Sequence, residues 1–106
     1  MPKVDNDDTL KALLSLRKSK TRLLILDALL SSDTPLGIEE IAKKINLNEN
    51  ATSVALHYLV KTNLVLRVKR GLYEANLKLL CRAILILLSS TKFLEFLTEY
   101  KKLKKQ

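Results

Sequence analysis

Apolar residues recur with helical spacing along most of this chain, and the spacing changes to that of a β-strand only once. In the helix predicted for residues 38–45 they stand at i, i+3, i+4 and i+7, namely Ile38, Ile41, Ala42 and Ile45. After Asn63 the period becomes two over a short stretch with a turn in it. The sequence therefore predicts a mostly α fold with one small β-hairpin.

Two helices are predicted before residue 31. The first follows a flexible tail, residues 1–8, and can be capped by Asp7 or Asp8. A break is expected near Ser19, whose hydroxyl can cap a second helix over Thr21–Leu30. The apolar residues of this second helix predict burial on more than one side.

A loop over residues 31–36 separates these helices from two further helices joined by a tight turn. Gly37 takes the cap position of the first, and Glu40 stands three residues on, as in a capping box. In the turn, Asn46 can end one helix and Asn48 can cap the next, while Leu47 is expected to enter the core.

The helix after this turn, Glu49–Lys61, has two different sides. One side is mostly apolar, with Thr52, Ala55, Leu56, Leu59 and Val60. The other spans an arc of about 100° and carries the candidate base-reading residues Asn50, Ser53, Val54, His57 and Lys61. Short polar groups, a methyl-bearing side chain, an imidazole and one amine suit the edge of a base pair. An ordinary solvated face is the alternative interpretation.

The predicted hairpin has a basic tip. Along its first strand Leu64, Leu66 and Val68 alternate with Val65, Arg67 and Lys69, the turn is Lys69-Arg70-Gly71, and residues 72–75 return. Arg67, Lys69 and Arg70 are candidates for contacts with DNA phosphates or the minor groove. Tyr73 on the returning strand is expected to pack in the core and not to stack on a base.

Residues 37–74 resemble the winged helix-turn-helix of ArsR- and MarR-like transcription regulators of archaeal type. The resemblance rests on Ile38, Glu40, Ile41, Ala42, Leu56, Leu59, Leu64, Val65 and Gly71, with Arg22–Leu30 as the preceding helix. Asn63 stands where these families commonly have glycine, and asparagine tolerates the left-handed conformation. The resemblance implies a DNA-binding regulator. The thiolate pairs with which some ArsR-like proteins sense metals are missing, so metal sensing is not implied.

The C-terminal region, residues 77–106, is predicted to be a dimerisation helix that follows the winged helix-turn-helix domain of residues 9–76. Leu79–Leu88 is apolar almost all the way round, so a second chain is the simplest cover for the face that the small core leaves open. Candidate interface residues are Leu80, Ile84, Leu87, Leu88, Phe93, Phe96, Leu97 and Tyr100. A ligand pocket along this stripe is the alternative.

The net charge of +8 is unevenly distributed over the 106 residues. Residues 32–62, which contain the candidate base-reading helix, carry a net charge of −1, whereas residues 63–76 carry +2 and residues 77–106 carry +5. Lys18 and Lys20 lie in a basic segment that either touches the DNA backbone or is a solvated helix junction. Basic flanks beside a nearly neutral helix are expected in a protein whose phosphate contacts position it on DNA and whose base contacts determine the sequence it binds.

No catalytic or cofactor-binding pattern is present in the sequence. His57 is the only histidine and Cys81 the only cysteine, which leaves no Cys/His metal cluster and no disulfide within the chain. Cys81 is expected to be an inert packing residue. The N-terminus does not read as a signal peptide, and no apolar run approaches the ~20 residues of a membrane span. A cytoplasmic protein without enzymatic activity or cofactor is predicted.

The sequence thus favours a homodimeric transcriptional regulator that binds double-stranded DNA sequence-specifically. Two alternatives remain open: an architectural or DNA-partition protein with little sequence preference, and a winged-helix module that binds protein.

Overall fold

The computed structural model of the chain describes residues 6–89, 95 and 98–102. Along residues 6–89 the elements are α1 (Asn6–Ser15), α2 (Lys20–Leu30), α3 (Ile38–Ile45), α4 (Glu49–Lys61), β1 (Val65–Lys69), β2 (Leu72–Ala75) and α5 (Leu77–Ser89), with a 3₁₀ turn at Leu16–Lys18 between α1 and α2. The strands form an antiparallel hairpin. This order of helices and hairpin is that of a winged helix-turn-helix, and the predicted fold class is confirmed.

One apolar core holds α2, α3 and α4 together. Its fully buried side chains include Ile25 from α2, Ile41 from α3 and Leu59 from α4, each inaccessible to solvent. Full burial of such a side chain stabilises the fold by about 1.5–3 kcal/mol. Helix α5 returns across the molecule and packs against α1. Leu80 and Ala83 form the buried side of α5.

The chain breaks between α1 and α2 where the sequence predicts. Ser19 is extended, and its hydroxyl accepts a hydrogen bond from the N–H of Arg22 (3.3 Å), so that α2 starts at Lys20. The expected cap of α1 is wrong, because both Asp7 and Asp8 are helical residues of α1. Acidic residues suit the first turn as well as the cap, so the sequence signal does not separate the two positions. Residues 1–5 lie outside the described part.

The turn between α3 and α4 follows its two asparagines. Asn46 is left-handed (φ 57°) and ends α3, and the Oδ1 of Asn48 accepts a hydrogen bond from the N–H of Ala51 (2.8 Å). The expectation that Leu47 enters the core is wrong, since its side chain is 37% exposed. The turn is closed by the backbone instead, because the N–H of Leu47 donates to the carbonyl of Ala42 (3.1 Å).

Half of the predicted capping box forms at the start of α3. The N–H of Gly37 donates to Oε1 of Glu40 (3.2 Å), and glycine has no side chain for the reciprocal bond. The residue before it, Leu36, exchanges two 2.9 Å hydrogen bonds with Tyr73 of β2. This bridge fixes the hairpin to the loop that leads into α3.

The hairpin has a different inner face from the one that strict alternation predicts. Leu64 and Val65 are both buried, whereas Leu66 and Val68 are 39% and 40% exposed. Leu64 belongs to the turn after α4, where its N–H donates to the carbonyl of Leu59, and Asn63 before it is left-handed (φ 65°), as expected. A register shift between Arg67 and Lys69 further interrupts the alternation.

Helix α2 is less completely covered than its sequence predicts. Leu23 and Leu30 are 47% and 51% exposed, whereas Ile25, Leu26 and Leu29 are buried. The helix therefore buries one broad side against α3 and α4 and exposes leucines at its two ends.

Candidate nucleic-acid interface

Helix α4 is fixed in the fold by its first turn. Thr52 is completely buried, and its hydroxyl donates to the carbonyl of Asn48 (2.9 Å), the residue whose side chain also caps the helix. Ala55, Leu56 and Leu59 continue the buried side. Because the buried side packs against the core, the core determines the direction in which the opposite side of α4 points.

The opposite side of α4 forms an exposed polar arc, which we call the reading arc. All five of its residues are exposed: Asn50, Ser53, Val54, His57 and Lys61. The arc presents amide, hydroxyl, imidazole and ammonium groups, all of which bond to base edges or phosphates in protein–DNA complexes. Val54 is 74% exposed in the middle of these polar groups.

Tyr58 borders the reading arc and connects α4 to the α1–α2 junction. Its hydroxyl donates to Oγ of Ser15 at the end of α1 (2.8 Å), and the Ser15 hydroxyl donates in turn to the carbonyl of Ala12. The guanidinium of Arg22 lies 3.5 Å from the centre of the Tyr58 ring, within the range of a cation–π contact.

This contact brings the basic junction next to the reading arc. Lys18 and Lys20 are exposed on either side of Ser19, whose hydroxyl bonds Arg22. Sequence reasoning did not single out Tyr58. The available signal is its place at the border between the polar and apolar sides of an amphipathic helix, where a tyrosine can bury its ring and still satisfy its hydroxyl.

The wing carries its three candidate cations on exposed positions, Arg67, Lys69 and Arg70. The guanidinium of Arg67 lies 5.8 Å from the ring centre of Tyr73, its partner on the opposite strand. Tyr73 is only 7% exposed, so it packs as predicted. Lys69 and Arg70 lie at the tip, beside Gly71, whose φ of 79° makes the tight turn.

The other face of the hairpin has a different character. Leu66 and Glu74 are paired across the strands, and both line a cleft of about 390 Å³ between the end of α2 and the start of α5. Asp33 and Lys78 also line this cleft. Two carboxylates make the cleft a poor site for phosphate, so the exposed cations Arg67, Lys69 and Arg70 are the better candidates for contacts with DNA.

Helix α5 has an exposed apolar stripe, formed by Leu77, Cys81, Ile84, Leu85 and Leu88. Cys81 is exposed in the single chain, so its expected role as a packing residue does not hold within one chain. On a helical wheel it falls between Leu88 and Leu85 and away from the buried Leu80 and Ala83.

The candidate interface residues divide into three groups. Ile84, Leu88 and Tyr100 are 49%, 55% and 49% exposed, and Leu87 is half-buried. Leu80 is 9% exposed and belongs to the core of the single chain. Phe93, Phe96 and Leu97 lie outside the described residues.

In the part of the chain that the structure describes, no three His, Cys, Asp or Glu side chains are grouped as metal ligands. None of the described helices is both long enough and apolar enough to span a lipid bilayer.

The fold is a winged helix-turn-helix made of α3, α4 and the hairpin, and its surface presents an exposed polar arc on α4. Among solved structures the chain is similar to NolR from Sinorhizobium fredii, with 24% sequence identity and a TM-score of 0.53 over 97% of this chain and 92% of that one. At this identity the similarity shows the fold. No protein-family model and no curated protein sequence matches the chain.

Proposed function

We propose that this protein is a sequence-specific double-stranded DNA-binding protein that acts as a homodimeric transcriptional regulator. The observation that carries the proposal is the reading arc of α4, in which five exposed residues lie on the side opposite the buried Thr52, Ala55, Leu56 and Leu59. We propose further that it is a cytoplasmic regulator of the ArsR/MarR-like, archaeal type.

The chemistry of the arc suits the major groove. Asn50 lies in the first turn of α4, and an asparagine amide can bond both N6 and N7 of adenine. Ser53 and His57 offer further donors and acceptors, one helical turn apart. Helix α4 as a whole carries one acidic residue, Glu49, and one basic residue, Lys61, so it does not bind phosphate by net charge. Its role is reading rather than anchoring.

Anchoring falls to the regions beside α4. Lys18 and Lys20 lie at the junction that Arg22 and Tyr58 connect to the reading arc, and Lys69 and Arg70 lie at the wing tip. Each phosphate that a cation neutralises releases counterions, so these residues contribute affinity without sequence preference. The neutral helix α4 therefore reads the bases, and the basic regions beside it bind the phosphates.

The exposed stripe of α5 supports the dimer. Leu77, Leu85 and Leu88 are 55–66% exposed in the single chain. Covering apolar surface releases about 25 cal/mol per Å², so a second copy of the same stripe is a favourable partner. A two-fold dimer places two α4 helices in successive major grooves, about 34 Å apart on one side of the duplex. We propose that Ile84, Leu87, Leu88 and Tyr100, together with Phe93, Phe96 and Leu97, contribute to this interface.

Selection from random-sequence duplexes, followed by sequencing of the bound fraction, tests the proposal. Enrichment of a palindrome with half-sites one helical turn apart is the expected result. Binding without enrichment would instead favour an architectural or DNA-partition protein. Absence of binding at low salt would contradict DNA binding and favour a winged-helix module that binds protein.

A further inference from the structure

Val54 has the highest exposure among the large apolar side chains on the described surface, at 74%. It lies in the second turn of α4, one helical turn after Asn50 and one before Tyr58. We propose that Val54 recognises the 5-methyl group of a pyrimidine in each half-site; in unmodified DNA this pyrimidine is thymine. This inference rests on the proposed function. Val54 would then be a specificity-determining residue of the reading arc.

The surroundings of Val54 distinguish it from the other exposed apolar residues. On α5 the exposed Leu77, Leu85 and Leu88 share one continuous apolar stripe, which suits a protein partner. Val54 has polar neighbours on the reading arc instead. The major-groove edge of DNA likewise combines one apolar group with polar ones, because the thymine methyl lies among hydrogen-bond donors and acceptors. An isolated valine among polar side chains is complementary to that edge.

The geometry of valine adds to this complementarity. In a helix a β-branched side chain has one strongly preferred χ1 rotamer, so the two methyl groups of Val54 point in a fixed direction before DNA binds. The buried Thr52 and the Asn48 cap fix the turn of α4 that carries them. Little side-chain entropy is therefore lost when Val54 meets a methyl group.

The chemical group recognised is common to two bases. Thymine and 5-methylcytosine carry the same methyl at the same ring position, whereas uracil and cytosine lack it. If Val54 contacts this group, then uracil in place of thymine weakens binding, and methylation of a cytosine placed there strengthens it. The contact removes one methyl group from water, which corresponds to about four-fold in affinity per half-site.

The experiment starts from the palindrome found by selection and replaces its thymines by deoxyuridine, one symmetric pair at a time. For the unaltered protein, one pair of positions is expected to lose affinity about four-fold per half-site. Cytosine and 5-methylcytosine at the same positions are then compared. A gain of similar size with 5-methylcytosine identifies the methyl group itself as the feature recognised, and equal affinity for the two cytosines would overturn the proposal.

Two variants assign the effect to Val54. Val54→Ala removes both methyl groups at an exposed position, where alanine favours the helix, and is expected to bind thymine and uracil duplexes equally well. Val68→Ala makes the same change at an exposed position of the wing and is expected to keep the preference for thymine.

The outcomes separate this inference from the proposed function. An enriched palindrome with no thymine preference, or with a preference that persists in Val54→Ala, overturns the role of Val54 and leaves the DNA-binding function intact. Selection that enriches no sequence overturns both.

Discussion

Helices α4 and α5 each bury one side against the same small domain. Their exposed sides differ completely. The exposed side of α4 carries polar groups around Val54, whereas the exposed side of α5 carries leucines and Ile84 at 49–66% exposure. The first surface is stable in water and suits a hydrated base edge, while the second gains free energy only when another apolar surface covers it.

The difference indicates how one small domain can serve two kinds of partner. A polar arc gives little affinity by itself, so it needs anchors and a second copy to become specific. An apolar stripe gives affinity without reading any sequence. Under the proposed function, the α5 stripe would determine how many reading arcs act together, and the α4 arc would determine what each of them reads.

The largest expected effect comes from a charge on the α5 stripe. Ile84→Glu places a carboxylate where the proposed partner copy packs, and burial of an unpaired charge costs several kcal/mol. Because Ile84 is 49% exposed in the single chain, the variant is expected to fold and to be a monomer. Light scattering should change from about twice the chain mass of 12.0 kDa to that mass itself. At the half-buried Leu87, Glu is expected to give monomers or insoluble protein.

Arg82→Glu is the matched control, since Arg82 lies on the polar side of α5 and is exposed. This variant should remain dimeric although its charge changes by two units. Unaltered protein that scatters as a single chain at micromolar concentration would contradict the dimer directly.

A smaller effect is expected from the reading arc. Asn50→Ala or His57→Ala removes groups placed to bond base edges and should cost about 1–3 kcal/mol on the selected palindrome. On unrelated duplex the loss should be slight, because α4 carries no net charge to attract phosphate. Titrations of both duplexes measure the two losses. Equal losses on the two duplexes would contradict base reading by these residues.

Most of the fold was predictable because local signals agreed with the tertiary structure. The bounds of α4, the Asn48 cap, the left-handed Asn46 and Asn63, and the break at Ser19 all follow from side chains that act on their own backbone.

Long-range packing was the part that the sequence could not supply. Leu47, Leu66 and Val68 are apolar and yet exposed, because the turn closes through its backbone and the hairpin buries its other face. The bond between Tyr58 and Ser15 joins residues 43 positions apart, and no local pattern encodes it.

The hydrogen bond between α4 and the end of α1 can also be removed. Tyr58→Phe removes the hydroxyl that donates to Ser15 but keeps the ring under Arg22, and should lower the free energy of unfolding by about 1 kcal/mol. Urea unfolding measures this loss. In the double variant with Ser15→Ala the two losses should not add, since both remove the same bond. Full additivity would show that the bond contributes nothing in solution.

The smallest expected effect separates anchoring from reading. Lys69 lies at the wing tip, where its ammonium can meet a phosphate, and Lys69→Ala should weaken binding to every duplex similarly. The slope of log affinity against log salt should fall by about 0.9, the value for one phosphate contact on B-DNA.

Lys78→Ala is the control, because Lys78 lines the cleft that Asp33 and Glu74 make unfavourable for phosphate. The salt slope of this variant should equal that of the unaltered protein. His57→Ala should also leave the slope nearly unchanged while it lowers affinity for the palindrome. If Lys69→Ala and His57→Ala proved indistinguishable in both titrations, the wing and α4 would not divide anchoring from reading, and a protein that coats DNA without sequence preference would become the better interpretation.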